Sequence, residues 1–527
     1  MAEAKTYLNN RLKGEHADAY AAGGFHPVYL GDVLGGRYQV FRKLGKGSQC
    51  TVWLARDKKV PTRRYQALKV YSARSSEDMQ KVVNSLERRS SHPGEGHVEL
   101  PFDSFTIQGP RGNHLCAVVE PLGCPIVQLE EAAYEKRVEN GGGQGAVPGD
   151  PWSVVFAKRA CRQALVALDY LHQRCIAHRD IAGRNICFAL QYDLSASDEN
   201  EIMTSVWPEE KRPEEEARSD QVGLSATTEA KSEQLSDLDS ESESSSESDD
   251  DEPPPQWRLD LDECEKRIAE QWAAYEPGDA AAKPLSDAWN KANFWNSRED
   301  IELLQRKDGN PLGPDEIRYT VAPAGLSTGF NLGTVADPER AENFRLVMTD
   351  LGFSCPFEEC GKRPIPTVVD YMAPESLLGL PDVPAKSDIF SLGLWFWEVV
   401  MLRGLVVDAG FQQPRGRVLQ YLARRLGPVP ASLRAHWGPD ADQFVDAGSG
   451  RPLDTPDEDE EEYGDDDFPR GDIWFHARKR RPLDMSDEDM GAFVHLIQRM
   501  LQWEPERRPP TEELLQDEWF RRMSGLT

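Results

Sequence analysis

The stretch His178-Arg179-Asp180-Ile181-Ala182-Gly183-Arg184-Asn185 gathers a carboxylate, two guanidinium groups and an amide. A carboxylate such as Asp180 can orient an attacking hydroxyl and accept its proton as a phosphoryl group is transferred. Asn185 can bind a magnesium ion through its amide oxygen. Asp350, in Asp350-Leu351-Gly352, offers the hard carboxylate that this ion takes beside phosphate. Lys69 lies inside the apolar run Ala67-Leu68-Lys69-Val70, where an ammonium is costly unless an anion meets it; phosphate oxygens would supply one. In Leu44-Gly45-Lys46-Gly47-Ser48-Gln49-Cys50-Thr51-Val52 the glycines let backbone amides approach nucleotide phosphates, with Cys50 where a third glycine often stands.

Each of these has a plain reading: a hairpin turn, an edge-strand lysine, a D-L-G turn. Their order along the chain carries more. Ala373-Pro374-Glu375 follows Asp350, Glu375 can pair with Arg508, and Asp388 can bond the backbone of the 178–185 loop from a buried helix start.

The positioning elements are legible from periodicity. RYQVFRKLG from Arg37, CTVWLARD from Cys50 and RYQALKVYS from Arg64 read as strands separated by turns. Phe156 to His172 reads as a helix with Cys161, Leu165, Leu168 and Leu171 on its buried face. FRLVMTDLGF (344–353) reads as a strand followed by a turn, and 389–407 as a buried helix, since Glu398 and Arg403 interrupt it as a membrane span.

The net charge of −29 is concentrated in two tracts: nine acids without a base in 237–252, and ten without a base in 454–467. Such blocks read as solvated segments, with attraction of basic partners as the functional alternative. From about Pro208 to about Pro284 the chain is rich in Glu, Asp, Ser, Lys and Pro and lacks the apolar residues for a core. The serines of SDLDSESESSSESDDDE resemble acceptors for an acidophilic kinase of the casein kinase type. Nine scattered cysteines without a CxxC pair argue against a disulfide scaffold or zinc module and suggest a reducing compartment, cytoplasmic and nuclear. No secretory leader is recognisable at the start.

Taken together, these motifs resemble the eukaryotic protein kinases, and more narrowly the SR-protein kinases of serine/arginine-rich splicing factors, in a fungal form. The carrying residues are YLGDVLGGRYQVFRKLGKGSQCTVWLARD, ALKV and FTIQGPRGNHLCAVVEPLG, together with the 165 positions between Asn185 and Asp350. The resemblance implies an α+β, two-lobed kinase fold with a small β-rich N-lobe, a larger helical C-lobe and an acidic insert. The expected division is an N-terminal extension at 1–36, the N-lobe at 37–122, the first part of the C-lobe at 123–207, the spacer at 208–297 and the remaining C-lobe at 298–527. It further implies ATP and Mg²⁺ as cofactors. Leu44, Gly45, Gly47, Val52, Ala67 and Lys69 would line the nucleotide, with Glu120 and Leu122 contributing backbone contacts to adenine. Asp180 would be the catalytic base, and Asn185 and Asp350 the metal ligands. Expected partners are arginine/serine-rich protein substrates, with no nucleic acid or membrane, and the chain is expected to be a monomer.

The departures matter equally. Ala182 stands where serine/threonine kinases carry lysine, and Val368 replaces the threonine that partners it. Arg184 offers a repair, since a guanidinium fork can stabilise spread phosphoryl charge. Tyrosine kinases carry a similar loop, and VVDYMAPESL and KSDIFSLGLWFWEV also resemble their segments. Serine/threonine transfer, tyrosine or dual specificity, and a pseudokinase scaffold therefore all stand as readings. Glu77, Asp78 and Glu87 are candidate partners for Lys69. Arg179 is read either as a receptor for a phosphate, as on Thr367, or as a bond-maker within its own loop.

Overall fold

The computed structural model describes residues 15, 17–20, 23–29, 31–59, 65–86, 90–128, 130, 152–190, 194, 301–303, 317, 319–321, 344–361, 368–381, 383–406, 415–453 and 471–522. Glu87, Thr367, both acidic tracts and the proposed spacer at 208–297 lie outside these residues.

Antiparallel pairing builds a six-stranded sheet in the order β1-β2-β3-β4-β6-β5. The strands are β1 (Val33–Leu34), β2 (Tyr38–Lys46), β3 (Cys50–Asp57), β4 (Tyr65–Tyr71), β5 (Asp103–Gly109) and β6 (Gly112–Val119). Side-chain alternation explains why β4 is buried throughout. Leu68 and Val70 join Tyr38, Val40, Trp53 and Val118 on one face. Ala67, Lys69 and Tyr71 point the other way, and Tyr71 packs with Leu115 and Ala117 against helix α1 (Ala73–Leu86). Helix α1 buries Met79, Val82, Val83 and Leu86, the stripe that helical spacing dictates. Strand β1 and the packed Val28 precede residue 37, so the folded lobe reaches into the segment read as an extension.

Below the sheet, the chain turns through β7 (Leu122–Pro125) to helix α2 (Val154–Gln173), whose N-terminus is capped by Ser153 accepting from Phe156 N. Cys161, Leu165, Leu168 and Leu171 are all fully buried, as their spacing predicts. Next come β8 (Ile176–Ala177), the 178–185 loop and β9 (Ile186–Ala189). Later in the chain, β10 (Ile301–Leu303) pairs with β11 (Tyr319–Val321), followed by β12 (Leu346–Met348) and β13 (Cys355–Pro356).

Most of the helical lobe packs around α3 (Pro384–Met401), which places Phe390, Trp395, Phe396 and Trp397 fully inside. This is the buried helix expected near 389–407. It ends at Leu402, which adopts a left-handed backbone, and Leu405 and Val406 remain buried beyond it. Helix α6 (Asp487–Met500) packs on it, with Trp397 stacked on Phe493 at 6.1 Å, while α5 (Ile473–Arg480) packs on α6 and α4 (Arg415–Leu426) on residues 369–377. Among the described residues, no helix is long and apolar enough to cross a membrane.

Candidate active site

Residues distant in sequence are joined by a three-stranded sheet of order β12-β9-β7. Its register places Met348 opposite Ile186 and Leu346 opposite Phe188. Asn185 therefore ends one strand beside Thr349, whose N–H donates to the Asn185 carbonyl at 2.8 Å. Asp350 follows immediately, so the two residues expected to bind metal arrive together despite their separation.

The loop between β8 and β9 is held from below. Asp388, near the start of α3 and buried, accepts from the backbone N–H groups of His178 and Arg179 at 2.8 Å each. His178 donates through Nε2 to the Thr349 carbonyl at 2.9 Å and accepts from Asp180 N at Nδ1, at 3.2 Å. These bonds select the Nε2–H tautomer and fasten the loop to the residue before Asp350. Arg179 takes a positive φ of 69° and donates to Cys355 Sγ at 3.8 Å, a partner on β13 rather than within its own loop.

Asp180 is buried, and its carboxylate meets two neighbours. Arg184 Nη2 lies 2.6 and 2.8 Å from its two oxygens. Asn185 Nδ2 donates to its main-chain carbonyl at 2.7 Å and to Oδ2 at 2.9 Å. The amide nitrogen thus faces Asp180, which leaves the Asn185 amide oxygen outside these bonds. Ala182 is buried at the turn, with an extended backbone.

The partner of Lys69 is Glu99, joined to it by a buried ion pair. This corrects the expectation that Glu77, Asp78 or Glu87 would serve. Glu77 is exposed, Asp78 pairs with Lys81 at 3.5 Å on the polar face of α1, and Glu87 lies outside the described residues. Burial lowers the Lys69 pKa most strongly of any one cause, but the Glu99 carboxylate, together with the fields of Tyr71, Cys50 and Asp350, outweighs it and holds the ammonium above the ordinary lysine value. Sequence reasoning missed Glu99, although Val98-Glu99-Leu100 carries the signal already used for Lys69: a charge inside an apolar run.

The glycine turn between β2 and β3 lies over Asp350. A methyl group added at Gly47 would come 3.9 Å from Asp350 Oδ2, and one at Gly352 would come 3.1 Å from Gln49 Cγ. Cys50 is buried, and burial pushes its thiol to about 12, so it stays protonated. Leu44 and Val52 are partly buried and Ala67 is buried on neighbouring strands. Glu120 and Leu122 lie on the connection from β6 into β7. The Glu120 carboxylate takes two bonds from Arg345, at 2.9 and 2.6 Å, which tie that connection to β12.

This donor set fits magnesium and a nucleotide. Asp350 has a left-handed backbone, uncommon outside glycine but tolerated by aspartate, and its Oδ1 takes only a long 3.4 Å bond from Gly352 N. One carboxylate and one amide oxygen leave the rest of the sphere to phosphate and water, the usual arrangement for this ion. Among the described residues, no group of three or more His, Cys, Asp or Glu could hold a metal by itself.

No protein-family model matches the chain. Curated relatives do. A serine/threonine protein kinase of Aspergillus fumigatus is 36% identical over 174 residues, 32% of this chain and 40% of that protein. Protein kinase dsk1 of Schizosaccharomyces pombe is 36% identical over 34% of this chain and 31% of its own length. SRSF protein kinase 3 of Homo sapiens is 35% identical over 32% of this chain and 28% of its own length. The matches thus span less than half the length of these relatives. A crystal structure of a kinase domain superposes with a TM-score of 0.48 at 15% identity, covering 94% of this chain and 98% of that one. Over about a third of its length, the chain is similar to serine/threonine protein kinases, among them those of the SR-protein kinase type.

Proposed function

We propose that this chain is a serine/threonine protein kinase that transfers the γ-phosphoryl group of ATP to serine in arginine/serine-rich proteins, with Mg²⁺ as cofactor. The observation that carries the reading is the pairing of β9 with β12, which sets Asn185 and Asp350 side by side, with Asp180 bonded to Asn185. In this reading, Lys69 holds the nucleotide phosphates and Asn185 and Asp350 hold the metal. Magnesium, when bound, neutralises charge on the phosphates. Asp180 orients the serine hydroxyl and takes its proton as the new P–O bond forms; the β–γ bridging bond breaks and ADP leaves. Arg184 already bonds Asp180 and lies half-exposed at the cleft. It is the cation that answers the missing lysine at Ala182. The acidic tracts 237–252 and 454–467 suit an arginine-rich substrate, an attraction that should fade with salt. A reducing compartment, cytoplasmic and nuclear, belongs to the same proposal; what supports it is the scatter of nine cysteines without a CxxC pair.

The test is transfer from radiolabelled ATP to matched Ser-Arg, Thr-Arg and Tyr-Arg repeat peptides, with Asp180→Asn as control. Serine labelling that disappears in the control is expected. Labelling of the tyrosine peptide alone would overturn the specificity. Nucleotide binding without transfer to any peptide would favour a scaffold.

A further inference from the structure

Glu99 lies in neither a helix nor a strand, yet it is held tightly. His97 Nδ1 donates to the Leu346 carbonyl at 2.8 Å, Val98 forms a parallel bridge with Met348, and Glu99 N donates to the Met348 carbonyl at 2.9 Å. Arg345 reaches back to the Gly96 carbonyl at 2.8 Å. Residues 96–99 are therefore stitched along 345–348, and Asp350 emerges two residues later. Helix α1 offers Lys69 no carboxylate: its exposed Glu77 and its Lys81-paired Asp78 lie on the polar side. The helix makes its own attachments without bonding Lys69: the Ser76 hydroxyl accepts from Leu115 N at 2.9 Å, Lys81 pairs with Glu359 at 3.8 Å, and its buried face shares a cluster with Val98 and Leu351.

We infer that Glu99 is the positioning residue for Lys69, and that the junction of 96–99 with β12 sets the phosphate-binding lysine and the metal-binding aspartate as one unit, without a carboxylate from α1. This rests on the kinase reading above. A carboxylate carried on a mobile helix makes the ion pair depend on where that helix sits. A carboxylate bonded through its own backbone to the strand before Asp350 does not. The Lys69 ammonium then has one fixed orientation whenever β12 is in place, and among the described residues no helix carries the carboxylate of this pair.

Full-length protein should be compared as wild type, Glu99→Gln, Glu99→Asp, Lys69→Met, the Lys69→Met/Glu99→Gln double variant, and Glu77→Gln. The readouts are MgADP affinity by calorimetry, kcat and KM for ATP and for a Ser-Arg peptide, and thermal unfolding. Glu99→Gln should lower kcat/KM for ATP by about 30-fold or more, leave the peptide KM unchanged, and be partly rescued by Glu99→Asp. The double variant should be no less active than Lys69→Met and more heat-stable than it, because Lys69→Met leaves the Glu99 carboxylate buried and unpaired. Glu77→Gln should match wild type. Wild-type kinetics in Glu99→Gln, additive losses in the double variant, or a loss in Glu77→Gln equal to that in Glu99→Gln would overturn the inference. If Glu99→Gln fails to fold, the stability comparison of Lys69→Met with the double variant still decides. Wild type that neither binds MgADP nor transfers phosphate would instead sink the kinase reading, and the positioning role with it.

Discussion

Glu375 and Arg508, 133 residues apart, form a buried two-point ion pair, with Nη1–Oε1 at 2.7 Å and Nη2–Oε2 at 2.8 Å. Arg508 also donates to the carbonyls of Gln502 and Lys386, at 2.9 Å each, and its guanidinium lies 4.8 Å from the Phe390 ring centre. One bond network thus fixes the start of α3 against the 502–508 segment. Removing one member leaves the other charge buried, so Arg508→Ala should destabilise by about 3–5 kcal/mol in urea unfolding. Replacing both by apolar residues of similar size should cost much less. A loss under about 1 kcal/mol for Arg508→Ala would show the pair to be better hydrated than its geometry indicates.

Asp388 is the acceptor that shapes the 178–185 loop. Asp388→Ala would strand the backbone N–H groups of His178 and Arg179, at about 1–3 kcal/mol for each buried group left unbonded. Faster amide hydrogen exchange at those two positions, together with reduced kcat, is the expected result. Unchanged exchange there would mean that other acceptors suffice.

Arg184 separates stability from catalysis. Its guanidinium is half-exposed, and the buried Asp180 carboxylate keeps its bond from Asn185 Nδ2 when Arg184 is removed, so the pair contributes little to folding. Arg184→Ala should therefore leave thermal unfolding nearly unchanged while lowering kcat by about a hundredfold, as expected for a lost transition-state cation. Arg184→Lys should recover part of the rate. If the alanine variant transfers phosphate at the wild-type rate, Arg184 does not answer for the missing lysine.

Asp32 carries a pH signature. Burial raises its pKa from 3.8 to about 6, against the opposing effect of the Tyr29 N–H bond. Below about pH 4 both folded and unfolded states are protonated, so nothing is lost. Between about 4 and 6 the unfolded chain ionises first, and stability falls as pH rises through that window. Asp32→Asn should be more heat-stable than wild type at pH 7 but equal to it near pH 4. An equal difference at both pH values would exclude the charged carboxylate as the cause.

Much of the scaffold was legible because it is local. Runs of β-branched and aromatic residues between turn signals exposed β2, β3 and β4, and helical spacing picked out the buried face of α2. The Glu375–Arg508 and Asp388 contacts were expected from the order of the motifs along the chain. Two features were not legible. The β9–β12 register joins residues some 160 positions apart, and nothing in either strand's own pattern names its partner. The Lys69 pair was sought on α1 because that helix is amphipathic and acidic near its start. Its acids belong to its polar face, and the buried carboxylate comes from Val98-Glu99-Leu100, too short a run to register as an element. Arg345, which binds both Gly96 and Glu120, was missed because an arginine before an apolar strand resembles an ordinary surface charge.

Where the chain departs from β9 and returns to β12, Ala189 N donates to the Arg345 carbonyl at 2.8 Å. The exit and the entry of everything between them are thus neighbours, already closed by the sheet. Closure entropy rises only with the logarithm of loop length, about 0.6 kcal/mol for each doubling. Leu194 and Ile317, within that connection, pack against Leu54 and Tyr65 and against Tyr20 and Phe25, so a change of length that spares them should barely register in the stability of the cleft. Evolution, or an engineer inserting a reporter domain, can therefore treat this junction as a socket, choosing the cargo by what it must reach.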